Sequence, residues 1–225
     1  MKTQFSDQII HFYKHIQPPA KLPKGVGVLY PQQQQEVITI VEQFYKKFYA
    51  DTNKRTLIFG INPGRFGAGV TGINFTGPKQ LKENCGIDHG FKNHSELSAE
   101  FIYEAIGKYG GPEKFYKEFF ITAVSPLGYV KDGVNLNYYD DRTLQEAVTP
   151  FVVDCVEKQL KWNVNREKCI CVGGEKNYKY FLKLNEKQRW FNQIIPLAHP
   201  RFILQYRRKT KEIYLSQYMD AFSAI

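Results

Sequence analysis

The chain has 225 residues, a length that favours one α/β domain over two very small ones. Its 43% hydrophobic and 24% charged residues exclude a disordered or collagen-like chain. Residues 1–15 mix charged residues with short apolar pieces, so we expect no export signal. No run approaches the roughly 18 apolar residues that a membrane span requires. We therefore expect a cytoplasmic protein.

Basic residues outnumber acidic residues, 31 to 22, which gives a net charge of +9. The resulting field attracts polyanions, so nucleic acid is a candidate partner. A basic protein without such a partner is an equally simple interpretation of the charge alone. The positions of the basic residues have to decide between the two.

The cysteines favour buried free thiols over a metal site. Cys85, Cys155, Cys169 and Cys171 form no CxxC pair. Cys169 and Cys171 alternate within an apolar run, so on a strand their side chains would point to opposite faces. We expect free thiols in a reducing compartment and no zinc or iron–sulfur cage.

The first predicted elements are a short helix at residues 7–16 and an extended, proline-containing segment to about residue 30. We expect residues 1–30 to wrap a single domain that spans the chain. The next apolar residues recur at helical spacing and predict a helix with one buried face: Val37, Ile40, Val41, Phe44 and Phe48. Residues 56–59 predict the first strand, and the glycine-rich residues 60–80 predict a long loop of the kind that often carries function.

The rest of the chain alternates strands and helices. Its predicted elements are a helix at 97–109, a strand at 119–124, a hydrophilic connection at 131–139, a strand at 168–172, a helix at 177–184, a strand at 193–197 and a helix at 211–222. Between 139 and 168, Thr149 can cap a helix that Pro150 begins, which predicts two helices. The alternation predicts a three-layer α/β/α sandwich around a mainly parallel four-stranded sheet.

Candidate site residues follow the ends of the four predicted strands. Ligands of open parallel sheets gather beyond the carboxyl ends of the strands. These ends are residues 60–64, 125–127, 173–176 and 198–201, and we expect them to converge on one edge.

The segment Gly67-Ala68-Gly69-Val70-Thr71-Gly72 also fits the dinucleotide spacing GxGxxG. A true fingerprint lies in the tight turn after a strand and opens a helix, whereas here several loop residues intervene. A nucleotide-dependent oxidoreductase or transferase is therefore one alternative, and absence of NAD(P) binding would remove it.

The segment from Gly60 to Phe75, GINPGRFGAGVTGINF, resembles the first active-site motif of the uracil-DNA glycosylase superfamily, most closely its single-strand-selective monofunctional (SMUG-type) branch. The Ser-Pro-Leu turn at 125–127, the Val-Gly-Gly turn at 172–174 and His199-Pro200 follow in the family's order. The resemblance covers the chain from about Gly25 onward.

The resemblance implies the family's fold and a monofunctional glycosylase that flips a damaged DNA base, hydrolyses its N-glycosidic bond and leaves an abasic site, without a metal or organic cofactor. Asn62 matches the principal catalytic position, where the amide oxygen accepts a hydrogen bond from the attacking water. His199 matches the family's histidine and would donate a ring N–H to a carbonyl oxygen of the leaving base.

The resemblance also implies a base pocket. Phe75 matches the position whose ring stacks on the flipped base, and glycines in the first loop let the backbone approach that base closely. The predicted base-binding residues are Gly60, Pro63, Gly64, Phe66, Gly67, Phe75, Ala123 and Ser125.

The chain departs from the family at two places. Ala123 stands where SMUG-type enzymes carry an asparagine that reads the pyrimidine edge. Because alanine is smaller, we expect room for larger deaminated purines such as xanthine or hypoxanthine. The family's longer His-Pro-Ser-Pro-Arg element is shortened to residues 199–202, so Arg201 and Phe202 are candidates for the residues that wedge into the duplex.

Basic residues are dense beyond this element, and Tyr206 among them could stack on a base or pack internally. The predicted DNA-binding residues are Gly174, Lys176, Arg201, Phe202, Arg207, Arg208 and Lys209. We expect a monomer that binds single- or double-stranded DNA containing a damaged base, nucleoid-associated in a bacterium. A non-catalytic nucleic-acid-binding protein on the same fold is the second alternative.

Overall fold

The computed structural model describes residues 3–92 and 96–225, so the first two residues of the predicted N-terminal segment lie outside the described part. Its helices are α1 (Phe5–His15), α2 (Gln35–Tyr49), α3 (Ala68–Thr71), α4 (Pro78–Glu83), α5 (Leu97–Tyr109), α6 (Pro112–Glu118), α7 (Arg142–Gln159), α8 (Gly174–Gln188), α9 (Pro200–Tyr206) and α10 (Lys211–Ser223). Its strands are β1 (Val26–Leu29), β2 (Thr56–Gly60), β3 (Phe119–Ala123), β4 (Gly128–Lys131), β5 (Val134–Leu136), β6 (Lys168–Val172) and β7 (Gln193–Leu197).

The central sheet is parallel, has the order β3-β2-β6-β7 and is flanked by helices, which confirms the predicted fold class. Every residue of β2 and β3 is buried, because a parallel sheet is covered on both faces. Their register pairs Gly60 with Ala123, so β2 and β3 end side by side.

A second, antiparallel sheet joins β1, β4 and β5. Residues 131–139, predicted as a hydrophilic connection, instead contain β5, which pairs with β4 through a two-residue turn. Asp132 and Gly133 form this turn with φ angles of 49° and 71°, the conformation that two-residue hairpins require and that Asp-Gly favours. The Asp-Gly pair was the sequence signal for this hairpin.

Pro150 does not end a helix, so the prediction of two helices is wrong. Helix α7 runs from Arg142 through Pro150 to Gln159. The Thr149 hydroxyl donates to the Gln145 carbonyl at 2.7 Å within the same helix instead of capping a new one. Burial of Phe151 and Val152 just beyond the proline stabilises the continuous helix.

The N-terminal segment is anchored by a buried arginine. The Arg55 guanidinium donates to both carboxylate oxygens of Asp51, at 2.8 and 2.9 Å, and its Nε donates to the Tyr116 carbonyl at 2.8 Å. It lies 4.6 Å from the ring centre of Phe5 in α1 and 4.7 Å from that of Tyr49 in α2. Helix α1 thus packs into the core through this contact.

The four cysteines are buried and free, as predicted. Burial raises the pKa of the Cys171 thiol to about 12. Within residues 3–92 and 96–225, none of the helices is long and apolar enough to cross a membrane.

Candidate active site

The carboxyl ends of the four parallel strands border a cavity of about 720 Å³. One residue from each end lines it: Asn62 after β2, Ala123 at the end of β3, Gly173 after β6 and His199 after β7. The sheet therefore brings the two predicted catalytic residues and the departure at Ala123 into one site.

The amide group of Asn62 is held at both ends by backbone groups of the last residue of β5 and of the segment after it. Its Nδ2 donates to the carbonyl of Leu136 at 3.1 Å, and its Oδ1 accepts from the N–H of Tyr138 at 3.1 Å. A flipped amide would place oxygen against oxygen and N–H against N–H, so these contacts settle the orientation. Oδ1 retains one lone pair for a further donor.

His199 is the N-cap of α9, and its Nδ1 accepts a hydrogen bond from the N–H of Arg201 at 3.2 Å. An Nδ1 that accepts leaves the proton of the neutral ring on Nε2. Burial, helped by the positive charge of Arg201, lowers the pKa of His199 from 6.5 to about 4. The ring is therefore a neutral Nε2–H donor near neutral pH.

The ring of Phe75 lies beside this histidine, with the ring centres 5.9 Å apart. Phe75 adopts a φ of 52°, a left-handed conformation that is uncommon for a bulky residue and often occurs at functional sites. A Cβ on Gly60 would lie 2.9 Å from Cε2 of Phe75, so a glycine at 60 is needed for the ring to lie against the end of β2.

Pro63, Gly64 and Gly67 of the first loop line the cavity, and their contact with a base stays a prediction. The GxGxxG segment serves local packing: a Cβ on Gly69 would lie 2.6 Å from Cδ2 of Leu29 and 2.7 Å from the Gly64 carbonyl oxygen. These residues form the single helical turn α3, which is too short to present a dinucleotide-binding helix.

Two predicted base-binding residues occupy different places. Ser125 is fully buried, and its hydroxyl donates to the Leu127 carbonyl at 2.9 Å within the turn after β3. Its contact with a base stays a prediction. Phe66 lines the cavity but is 57% exposed, with the Arg65 guanidinium 4.7 Å from its ring centre. It therefore belongs to the rim.

The predicted wedge lies on the first turn of α9. Arg201 and Phe202 line the cavity together with Tyr206, whose side chain is 62% exposed. The Arg207 guanidinium lies 5.4 Å from the ring centre of Phe202. Arginine and aromatic groups therefore lie together on this side of the cavity mouth.

The other predicted DNA-binding residues lie outside the cavity. Arg208 and Lys209 are exposed in a short 3-10 helix, Arg208–Thr210. Gly174 and Lys176 are in the first turn of α8, next to Gly173, which does line the cavity. Their contact with DNA stays a prediction.

The second sheet and the segment after it form one wall of the cavity that was not predicted from the sequence. Val134, Asn135, Asn137 and Tyr139 line the cavity, and the Asn135 Oδ1 accepts from the Arg65 N–H at 3.2 Å. Glu96 also lines the cavity while its carboxylate accepts from the Ala99 N–H at 2.8 Å as the N-cap of α5. Recognising the Asp-Gly hairpin would have pointed to the first group.

Comparison with known proteins identifies the family of the chain. The family model described as the uracil DNA glycosylase superfamily matches residues 46–223. The crystal structure of wild-type SMUG2 from Pedobacter heparinus is similar, with 41% identity, a TM-score of 0.96 and coverage of 99% of this chain and 98% of that chain. No curated protein matched the chain. The chain therefore belongs to the uracil DNA glycosylase superfamily as a SMUG-like member, with a base-excision repair function of the DNA glycosylase type.

Proposed function

We propose that the protein is a monofunctional glycosylase that hydrolyses the N-glycosidic bond of a deaminated base flipped into the cavity and leaves an abasic site. One observation carries the proposal: a hydrogen-bond acceptor, Asn62 Oδ1, and a neutral donor, His199 Nε2–H, line the same cavity with their polarities set by backbone contacts. The reaction needs one group of each kind.

Asn62 serves the attacking water. As the glycosidic bond breaks, positive charge develops on the sugar, and a water beneath it completes the hydrolysis. The free lone pair of Asn62 Oδ1 accepts a hydrogen bond from that water and orients it, whereas an amide is too weak a base to remove a proton early. The contacts to Leu136 and Tyr138 hold the oxygen ready before the substrate arrives.

His199 serves the leaving base. Negative charge collects on the base as the bond breaks, and an N–H donor aimed at a carbonyl oxygen stabilises it. The neutral ring donates this hydrogen bond through Nε2–H. Since the ring is at least half-buried, the bond acts in a weakly screened environment.

The proposed substrates are uracil and the deaminated purines xanthine and hypoxanthine. All three carry carbonyl groups for His199 and a π-face for Phe75, and stacking of this kind contributes about 1 to 3 kcal/mol without strong base preference. Ala123 supplies no amide to read the pyrimidine edge and leaves room in the cavity for a second ring.

The basic and aromatic rim is proposed to hold the DNA around the flipped nucleotide. Flipping costs a few kcal/mol, and the cost is smallest for damaged or mismatched bases. Phe202 and Tyr206 expose apolar rings at the mouth, where they can replace the stacking that the flipped base leaves behind.

The test is a single-turnover excision assay on matched oligonucleotides that contain uracil, xanthine or hypoxanthine, single- and double-stranded, with abasic sites revealed by alkali. Asn62→Ala is expected to reduce excision to a small residual rate while keeping DNA affinity. Asn84→Ala is the matched control, since Asn84 ends α4 and does not line the cavity. DNA binding without excision of any substrate would contradict the proposal and favour a non-catalytic binding protein.

A further inference from the structure

Asn177 is a fully buried polar residue on α8, behind the wall of the cavity. Its Nδ2 lies 3.4 Å from the carbonyl oxygens of Gly60 and Val172 and 3.3 Å from Sγ of Cys171. The side chain thus bridges the ends of β2 and β6. A Cβ on Gly173 would lie 2.6 Å from its Nδ2, so glycine at 173 leaves the space that Asn177 occupies.

The oxygen of Asn177 connects this bridge to the catalytic amide. Asn177 Oδ1 accepts a hydrogen bond from the Tyr138 hydroxyl at 2.6 Å. Tyr138 is fully buried, and burial raises the pKa of its hydroxyl well above the usual range, so the hydroxyl remains a donor. The backbone N–H of the same tyrosine donates to Asn62 Oδ1 at 3.1 Å.

We propose that Tyr138 and Asn177 are positioning residues that hold the Asn62 amide in its reactive orientation. The inference rests on the proposed function. Residues 136–138 clamp both ends of the amide, and the Tyr138 hydroxyl ties this irregular segment after β5 to the ends of the parallel strands through Asn177. Neither residue lines the cavity, so both act through Asn62 without touching the substrate.

The Tyr138 hydroxyl and the Asn177 side-chain oxygen form a buried polar pair. Tyr138→Phe keeps the ring but leaves the oxygen of Asn177 without this donor in a dry environment, which favours rearrangement of the segment. A displacement of the water-orienting oxygen by a fraction of an ångström is enough to slow hydrolysis, since positioning errors of about 1 Å cost up to about a hundredfold. Affinity for DNA is unaffected because the cavity rim is unchanged.

The first arm of the test is kinetic. Tyr138→Phe is expected to lower the single-turnover rate about tenfold or more at unchanged DNA affinity, and Asn177→Leu is expected to do the same. In an Asn62→Ala background the added Tyr138→Phe should cost nothing more, because the group it positions is gone. Tyr116→Phe is the control. Tyr116 is also fully buried, and its hydroxyl bonds the Tyr103 hydroxyl at a distance of 3.0 Å. Because Tyr116 does not line the cavity, the substitution should leave the rate unchanged.

The second arm is spectroscopic and does not depend on activity. The side-chain amide protons of Asn62, assigned by their loss in Asn62→Ala, should exchange with solvent faster in Tyr138→Phe than in the unsubstituted protein. A full rate in Tyr138→Phe, an equal loss in both backgrounds or unchanged amide exchange would each overturn the inference. Absence of excision by the unsubstituted protein would overturn the proposed function instead, and the exchange measurement would still decide the positioning.

Discussion

Nδ1 of His199 accepts a hydrogen bond from the backbone N–H of Arg201, two residues further along the chain. This contact exists because His199 caps α9, whose first N–H groups need acceptors. A structural requirement of the helix thereby determines the tautomer of a side chain that lines the cavity. The remaining ring nitrogen, Nε2, can serve only as a donor while the ring is neutral.

The excision rate should therefore show no inflection near the ordinary histidine pKa. Since the pKa of His199 is lowered to about 4, Nδ1 stays unprotonated and keeps its bond to the Arg201 N–H, so the rate is expected to stay level from about pH 8 to about 5. It is expected to fall as pH approaches 4, where protonation of Nδ1 breaks that bond. Single-turnover rates across this range measure it. A rate that changes between about pH 6 and 7 in the unsubstituted protein but not in His199→Gln would contradict the prediction.

The same shift makes the folded state less stable in acid. The unfolded chain binds a proton on this histidine below about pH 6.5, whereas the folded protein does so only near 4. The contribution of His199 is therefore complete above the unfolded pKa and is lost as pH falls through this window. Urea unfolding at several pH values should show a smaller loss between neutral pH and 4.5 in His199→Gln.

Ala123→Asn should shift the base preference towards uracil. The new amide takes volume from a purine and offers a hydrogen-bonding edge to a pyrimidine at the end of β3, beside Gly60, which has no side chain to obstruct it. Ala123→Leu separates the two effects, because leucine takes similar volume without the amide and should slow purines without favouring uracil. An unchanged ranking of uracil, xanthine and hypoxanthine in Ala123→Asn would show that the side chain at position 123 does not set the base preference.

Gly60→Ala should weaken engagement of the flipped base. The added methyl would lie 2.9 Å from Cε2 and 3.2 Å from Cζ of Phe75, whose ring has to move. Loss of the stack is expected to raise the half-saturating DNA concentration by roughly tenfold, from a stacking energy of about 1 to 3 kcal/mol. Gly107→Ala is the control, since its methyl meets nothing within 4 Å on α5.

Replacing Arg208 and Lys209 together by alanine should reduce the salt dependence of DNA binding. If each side chain neutralises one phosphate, the slope of log K against log salt concentration becomes shallower by about 1 per residue. Titrations at several salt concentrations measure the slope. Lys158→Ala is the comparison, because Lys158 is paired with Asp154 at 2.6 Å on α7 and should not change it.

Arg55→Met should destabilise the fold by roughly 3 kcal/mol without changing the chemistry of excision. The substitution leaves Asp51 and the Tyr116 carbonyl without the buried guanidinium and removes its contact with Phe5. Arg142→Ala breaks an exposed pair with Glu146, which solvent screens, and should cost far less stability. Equal losses for the two variants in urea unfolding would contradict the anchoring role of Arg55.

Much of the scaffold was predictable because buried parallel strands are short apolar runs that glycine or proline ends. That pattern located β2, β3, β6 and β7. Because ligands of parallel sheets bind beyond the carboxyl ends of the strands, it also predicted that Asn62 and His199 lie at one edge of the sheet. The sequence by itself also contained the residues of the first loop and the departure at Ala123. These features are local in the chain, so they can be recognised from the amino-acid sequence.

Only the tertiary structure decided how the site is held. Asn62 meets the backbone of Leu136 and Tyr138 across more than 70 residues, a contact that depends on how the hairpin of β4 and β5 packs against the parallel sheet. Burial likewise keeps α7 helical through Pro150, and the Ser125 hydroxyl bonds the Leu127 carbonyl in the turn after β3. Packing satisfies buried polar groups with partners distant in sequence, and local propensity contains no information about those partners.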